Sequence, residues 1–208
     1  MSVVHFLRHG EVYNPERVLY GRLPGFRLSD RGVEQAELAA KFLADRDVVA
    51  IVSSPLERAR QTAAPLAAAL NLDVGLDDRL IEAENVFEGR QVAGGKGLAR
   101  EFAKWRHLYN PLRPSWGEPY AQIASRMTGA LQAAAVLAGE HEAVCVSHQL
   151  PIVSLRRSVE GQRLFHDPRR RECGLGSVTS FTILDSIVVA VDYAEPAGAT
   201  PKGSVGGA

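Results

Sequence analysis

Cysteine is nearly missing: 208 residues hold only Cys145 and Cys173. Two thiols cannot build a disulfide framework, and no C-x-x-C pair offers a zinc site. A reducing, cytoplasmic setting is therefore expected. No apolar run approaches the roughly 18 residues of a membrane helix, so no membrane partner is expected. Net charge is missing as well, because Lys plus Arg and Asp plus Glu each total 24. General nucleic-acid binders carry a basic surplus, so nucleic acid is not an expected partner. The chain shows no internal repeat and no signal-peptide pattern. Its first apolar piece, up to Leu7, has the length of a strand and runs straight into Arg8-His9-Gly10. What remains is 46% hydrophobic and 23% charged, enough to bury a core in one compact domain.

Val3 to Leu7, Val48 to Val52 and Ala143 to Ser147 read as short buried strands, and Leu72 to Leu76 as a fourth. Ser29 or Asp30 can cap a helix whose buried face takes Val33, Ala36, Ala40 and Leu43. Ser54 is placed as the N-cap of a second helix, with Pro55 at its first position and Pro65 as a site for a kink. Leu98 to Leu108, Tyr120 to Leu137 and a segment starting near Pro151 read as further helices. Arg79 to Gly97 and the Pro-rich stretch Asn110 to Pro119 read as loop. Val178 to Leu184 and Ile187 to Tyr193 look like a terminal strand pair. Strands separated by helices predict an α/β fold, with a mostly parallel central sheet and helices on both faces. The domain is expected to span 1–193. The Gly-, Pro- and Ala-rich residues 194–208 are expected to be a disordered tail.

In such sheets, reactive groups gather at the carboxyl ends of the strands. The first strand ends at Arg8-His9. The second leads to Ser53-Ser54 and Arg58, and the strand from Ala143 ends at His148. Two arginines and two histidines in one pocket suit phosphoryl chemistry. Guanidinium forks match phosphate oxygens, and an imidazole with one free ring nitrogen can attack phosphorus. Such a set needs no metal, and no metal or cofactor is expected. A carboxylic acid must protonate the departing alkoxide, and Glu82 and Glu84 are both candidates.

These residues also carry a resemblance. Leu7-Arg8-His9-Gly10-Glu11 is similar to the signature of the histidine phosphatase superfamily, which includes the cofactor-dependent phosphoglycerate mutases. Leu28-Ser29-Asp30-Arg31-Gly32, the run Ser53 to Thr62 through Arg58, Arg79-Leu80-Ile81-Glu82, Glu88-Gly89, Gly117-Glu118 and Val146-Ser147-His148 resemble further family elements in the same order. The resemblance implies a three-layer sandwich. It implies His9 as the nucleophile that becomes phosphohistidine, Arg8, Arg58 and His148 as the phosphoryl clamp, and Glu82 as the proton donor. Asn14 sits near the family's phosphate-contacting asparagine, and Gly21, Gln149 and Glu84 complete the expected substrate-binding set. Gln149 stands where the family commonly has glycine.

The expected activity is a metal-independent phosphatase acting on a small phosphomonoester. Phosphoglycerate mutase is the runner-up, and a phospholigand-binding protein without turnover is the alternative from another class. The short chain, and a histidine rather than a second arginine after Arg106 in Trp105-Arg106-His107-Leu108-Tyr109, favour hydrolysis. His5 is expected to be structural, and His107, His141 and His166 to be surface groups. Cys145 is expected to be inert core. Gly94-Gly95-Lys96-Gly97 lacks the Ser/Thr of a phosphate loop. Arg156 and Arg157 with Arg169-Arg170-Arg171 read as a solvated loop or a rim that attracts an anionic substrate. A homodimer is compatible with the sequence, which leaves oligomeric state open.

Overall fold

The structure is a computed structural model, and it describes residues 1–91 and 117–199. Among these residues the strands are β1 (Ser2–Arg8), β2 (Val48–Ser53), β3 (Val74–Leu76), β4 (Glu142–Ser147), β5 (Val178–Leu184) and β6 (Ile187–Ala194). The helices are α1 (Asp30–Ala44), α2 (Glu57–Leu70), α3 (Tyr120–Ala138) and α4 (Gln149–Val159). One sheet runs in the order β3-β2-β4-β1-β5-β6. β1, β2, β3 and β4 pair in parallel, while β5 and β6 add an antiparallel edge. The expected α/β architecture with a mostly parallel sheet is found.

Side chains alternate along a strand, so β4 feeds two cores. Ala143 and Cys145 join Phe6, Phe181, Met127 of α3 and Leu155 of α4 on one face. Val144 and Val146 join Leu7, Ile51, Leu43 of α1 and Leu66 of α2 on the other. Phe6 and Phe181 meet edge to face, with centroids 5.5 Å apart. Helices thus cover both faces. The Cys145 thiol is pushed up to about 12 by burial, which fits inert core.

Several local expectations need correction. Ser29 is the cap of α1, accepting from the Gly32 N–H at 3.1 Å, but Val33 is 45% exposed and Ala39 takes its place in the core. α2 starts at Glu57, so Ser54 is not its N-cap and Pro55 is not its first residue. The Ser54 N–H donates to the Val146 carbonyl, which holds this segment to the sheet edge instead. Pro65 lies inside a continuous α2. β3 begins at Val74, because the Leu72 N–H closes the end of α2 on the Ala67 carbonyl after Asn71 turns left-handed. Residues 194–199 are placed: Ala194 completes β6, and Glu195 accepts from the Tyr193 hydroxyl at 2.6 Å. The expectations for Leu98–Leu108, Gly94–Gly97, Trp105–Tyr109, 110–116 and 200–208 lie outside the described residues.

α1 rests directly on the turn that follows His9. A Cβ at Gly32 would stand 2.0 Å from the Glu11 carbonyl oxygen, and one at Gly10 would stand 2.4 Å from the Gly32 carbonyl oxygen. Only bare backbone fits there. Gly32→Ala is expected to lower unfolding free energy by about 1–3 kcal/mol, as overpacking does. Denaturant titration checks this, and a change below about 0.5 kcal/mol would mean that the turn relaxes freely.

Candidate active site

β1, β2 and β4 end at one edge of the sheet. Arg8 stands opposite Ser147, and Ser53 stands opposite Val146. Beyond the strands, the His9 N–H donates to the Ser147 carbonyl at 3.1 Å. Arg8, His9, Arg58 and His148 therefore come together as the strand ends suggested, all of them buried. The His9 and His148 rings are 5.1 Å apart, centroid to centroid.

His9 Nδ1 lies 2.8 Å from the Gly10 carbonyl oxygen, which can only accept. The proton is thus on Nδ1 and the Nε2 lone pair is free. Thr62 fixes this turn, because its hydroxyl accepts from the Gly10 N–H and donates to the Arg58 carbonyl. Burial, then the charges of Arg58 and Arg8, hold the His9 imidazole well below its ordinary range, so it stays neutral. His148 is held low by the same burial and by Arg58. Its Nε2 lies 2.9 Å from the Ser54 hydroxyl, which can donate to it and leave the proton on Nδ1. That Nδ1 is buried without a protein partner.

Both arginines are anchored at one corner only. Arg8 donates to the Cys173 carbonyl at 2.6 Å, and Arg58 donates to the Gly21 carbonyl at 2.7 Å. The Nε of each is buried and unpartnered. Arg58 also lies over the Tyr20 ring, 4.8 Å from its centroid, and Tyr20 stacks on Phe26. Gly21 takes φ +37, and a Cβ there would overlap Glu88, so it meets Arg58 through its carbonyl.

The two candidate acids are separated by burial. Glu82 is 2% exposed, whereas the Glu84 side chain is 68% exposed and paired with Arg22 at 2.8 Å. Burial pushes the Glu82 carboxyl up, against the Ala83 N–H and the Arg58 charge, which pull it down. Glu82 Oε1 accepts from that N–H at 2.8 Å, and Oε2 is buried with no partner. Ser147 donates to the Leu80 carbonyl and Arg22 donates to the Glu82 carbonyl, so β4 and Arg22 set this loop. Glu118 joins Arg22 to Arg126. Glu82, Glu84, Gly21, Leu19, Tyr120 and Leu150 line the adjoining cleft. Among the described residues, no group of three or more His, Cys, Asp or Glu is placed to hold a metal ion. No helix there is long and apolar enough to cross a membrane.

Asn14 spends both ends of its amide on the Val18 backbone, accepting at 2.9 Å and donating at 2.8 Å. It shapes the turn instead of standing open to a ligand. Gln149 donates to the same Cys173 carbonyl that holds Arg8. His5 is structural, bonded to Ser180 and Glu142. His166 is not a lone surface group, since Arg171 Nε donates to its Nε2 at 3.0 Å. Sequence reasoning missed Tyr20 and Thr62, and it read Arg171 as one member of a charged run. In that run Arg169 pairs with Asp167, and Arg156 pairs with Glu160 and Glu172.

A neutral imidazole, a second imidazole and two buried guanidiniums gathered at one sheet edge are groups whose chemistry suits a tetrahedral oxyanion. The chain belongs to the histidine phosphatase superfamily (branch 1), whose sequence profile matches residues 4–195. It is 55% identical over 194 residues to Rv0525, an uncharacterized protein of Mycobacterium tuberculosis, covering 93% of this chain and 96% of that one. It is 31% identical over 186 residues to a probable phosphoglycerate mutase, GpmB, of Proteus mirabilis, covering 86% and 85%. Among solved structures it is similar to a mycobacterial glucosyl-3-phosphoglycerate phosphatase, Rv2419c. The TM-score is 0.70 at 27% identity, covering 86% of this chain and 89% of that one.

Proposed function

We propose that the protein is a metal-independent phosphatase that hydrolyses a small phosphomonoester through a phosphohistidine on His9. The observation that carries this reading is the convergence of orphaned polar atoms. Arg8 Nε, Arg58 Nε and His148 Nδ1 are buried without protein partners, the His148 ring stands 5.1 Å from the His9 ring, and the charges of Arg58 and Arg8 both act on His9. A phosphoryl group supplies the acceptors that all three lack.

In the first step His9 Nε2 forms a bond to phosphorus and the P–O ester bond breaks. Arg8, Arg58 and His148 hold the equatorial oxygens, where charge is spread. Glu82 gives its proton to the leaving alkoxide. In the second step water attacks phosphorus and the P–N bond breaks. The Glu82 carboxylate takes the water's proton, restoring the acid and the free imidazole as phosphate departs. The raised Glu82 carboxyl supports this role, because a donor must hold its proton near working pH. Glu84 is assigned to orienting Arg22.

Glu82→Gln is expected to slow alkyl phosphomonoesters by about 10²–10⁴-fold, and p-nitrophenyl phosphate much less, because only poor leaving groups need the proton. The alkaline limb of kcat/KM for alkyl esters should follow Glu82 deprotonation and vanish in that variant. A larger loss in Glu84→Gln would move the acid to Glu84.

The 31% identity to a probable phosphoglycerate mutase favours a second reading, phosphoryl transfer. Isomerisation of phosphoglycerate that depends on bisphosphoglycerate would establish it, and release of inorganic phosphate alone would remove it. Both cysteines are free, which fits the proposed cytoplasmic setting.

A further inference from the structure

The C-terminal half of α4 and the segment 160–172 enclose a second cavity, of about 370 Å³. That volume falls in the range of small-molecule sites. Val153, Arg156 and Arg157 of α4 line it, with His166, Arg170 and Arg171 of the segment. Three carboxylates line it too, and each is already taken. Glu160 and Glu172 both pair with Arg156, at 3.0 and 2.7 Å, and Asp167 pairs with Arg169 at 2.9 Å. The bonds from Arg169 pull the Asp167 carboxyl down to about 2, so it stays charged. Arg157, Arg170 and Arg171 are left with no carboxylate at ion-pair distance among the described residues. With Arg169 included, five guanidiniums meet three carboxylates, a surplus of two positive charges.

Two of the unmatched forks are anchored without their charge being met. Arg157 Nε donates to the Arg163 carbonyl at 2.6 Å, and Arg171 Nε donates to His166 Nε2 at 3.0 Å. His166 Nδ1 lies 2.6 Å from the Leu164 carbonyl, which can only accept, so the ring carries its proton there and is neutral. Burial holds His166 below the ordinary imidazole value, against the Leu164 bond, and the charges of Arg171 and Arg157 add to the lowering. Both anchors engage Nε, so both nitrogens at the tip of Arg157 and Nη2 of Arg171 have no protein acceptor among the described residues. Like charges around one cavity repel, and a bound polyanion removes that cost. Apart from His166, no aromatic side chain among the described residues lines the cavity, so a nucleobase has no ring to stack on.

We infer that this cavity is a second anion site, separate from the phosphoryl clamp, that binds a compact polyanion of the phosphate type, with two tetrahedral groups bridging guanidiniums on α4 and on the segment 160–172. Guanidinium forks match phosphate oxygens, and two or more negative charges answer the surplus. The inference does not depend on the phosphatase reading. Arg171 is shared with the catalytic edge, because the charges of Glu82 and Arg8 both act on it. Arg157 and Arg170 make no bond to any residue of that edge, so they are the positions to change.

The test is calorimetric titration of the whole protein with inorganic pyrophosphate at about 0.15 M salt, where exposed charges are screened. The wild-type protein is expected to bind it in this cavity with a dissociation constant below about 1 mM. That binding should survive Arg58→Met, which disables the clamp. The double substitution Arg157→Gln with Arg170→Gln should weaken it by about 10-fold or more, the scale of a lost charged hydrogen bond. Hydrolysis of p-nitrophenyl phosphate by the double variant should stay within about twofold of wild type. Arg170→Gln alone, which removes no hydrogen bond of the free protein, should weaken binding about three- to tenfold. The His166 ring reports the place of binding. Arg171, Arg157, Asp167, the Leu164 carbonyl and the Tyr120 ring face it. Pyrophosphate should raise its titration midpoint in NMR by about half a pH unit or more, and not in the double variant. Binding that is lost in Arg58→Met, binding that the double substitution leaves unchanged, or a His166 midpoint that stays in place overturns the inference.

Discussion

Replacing His9 with alanine is expected to lower turnover of every phosphomonoester by on the order of 10⁴-fold or more, the loss seen when a covalent nucleophile is removed. The geometry makes the loss specific. His9 has one protein partner for its ring, the Gly10 carbonyl, and its other nitrogen is free. Among the described residues, no other buried side chain offers a neutral lone pair to the same point. The His148 lone pair at Nε2 lies against the Ser54 hydroxyl, leaving that ring to donate. Truncation leaves the Gly10 carbonyl without its partner, a cost of about 1–3 kcal/mol that thermal unfolding can read separately. Arg8, Arg58 and His148 remain, so the variant should still bind inorganic phosphate. Residual turnover within tenfold of wild type would mean that water attacks phosphorus directly.

Arg58→Met is expected to cost about 3–4 kcal/mol of transition-state stabilisation, roughly 10²–10³-fold in kcat/KM, without a matching loss of fold. Arg58 is buried, its Nε is unpartnered, and no carboxylate among the described residues neutralises it at ion-pair distance. Burial itself pulls its pKa down. Such a charge strains the free protein and helps only when an anion arrives. Methionine keeps the stem over Tyr20 and removes the charge. The free variant should therefore unfold at an equal or higher temperature than wild type, while phosphate should stabilise it less. Arg58 is also, after burial, the largest influence holding His9 down. His9 must be neutral to attack, so the acid limb of kcat/KM should lie below the ordinary imidazole range. In Arg58→Met that limb should move to higher pH. An acid limb that stays in place would show that another group controls it.

Much of this site could be read from the chain because parallel strands end together. Once β1, β2 and β4 are recognised as apolar runs, their flanking residues Arg8-His9, Ser54 with Arg58, and His148 must share an edge, and they do. What could not be read depends on packing between distant segments. Glu82 and Glu84 are two residues apart in one loop. Only the bond from Ser147 to Leu80 and the clamp of Arg22 decide that the first is buried and the second is not. Ser54 looked like a helix cap, because Ser-Pro before a helical run is a cap signature. Its hydroxyl instead meets His148, 94 residues away in the chain. Arg171 sat in a run of three arginines, and nothing local marks the one that turns inward. His166, which receives it, likewise had no visible partner. Tyr20 is an aromatic in a loop until Arg58 is laid over its face.

The most direct test of the account is a single-turnover experiment. Enzyme in excess is mixed with radiolabelled phosphomonoester, quenched in alkali within milliseconds to seconds, and digested for mass spectrometry. A phosphoramidate is stable to base and labile to acid, so the account predicts acid-labile label on the peptide that carries His9, forming before inorganic phosphate appears and decaying as it accumulates. Hydrolysis of the ester with no label on that peptide at any time point would contradict it.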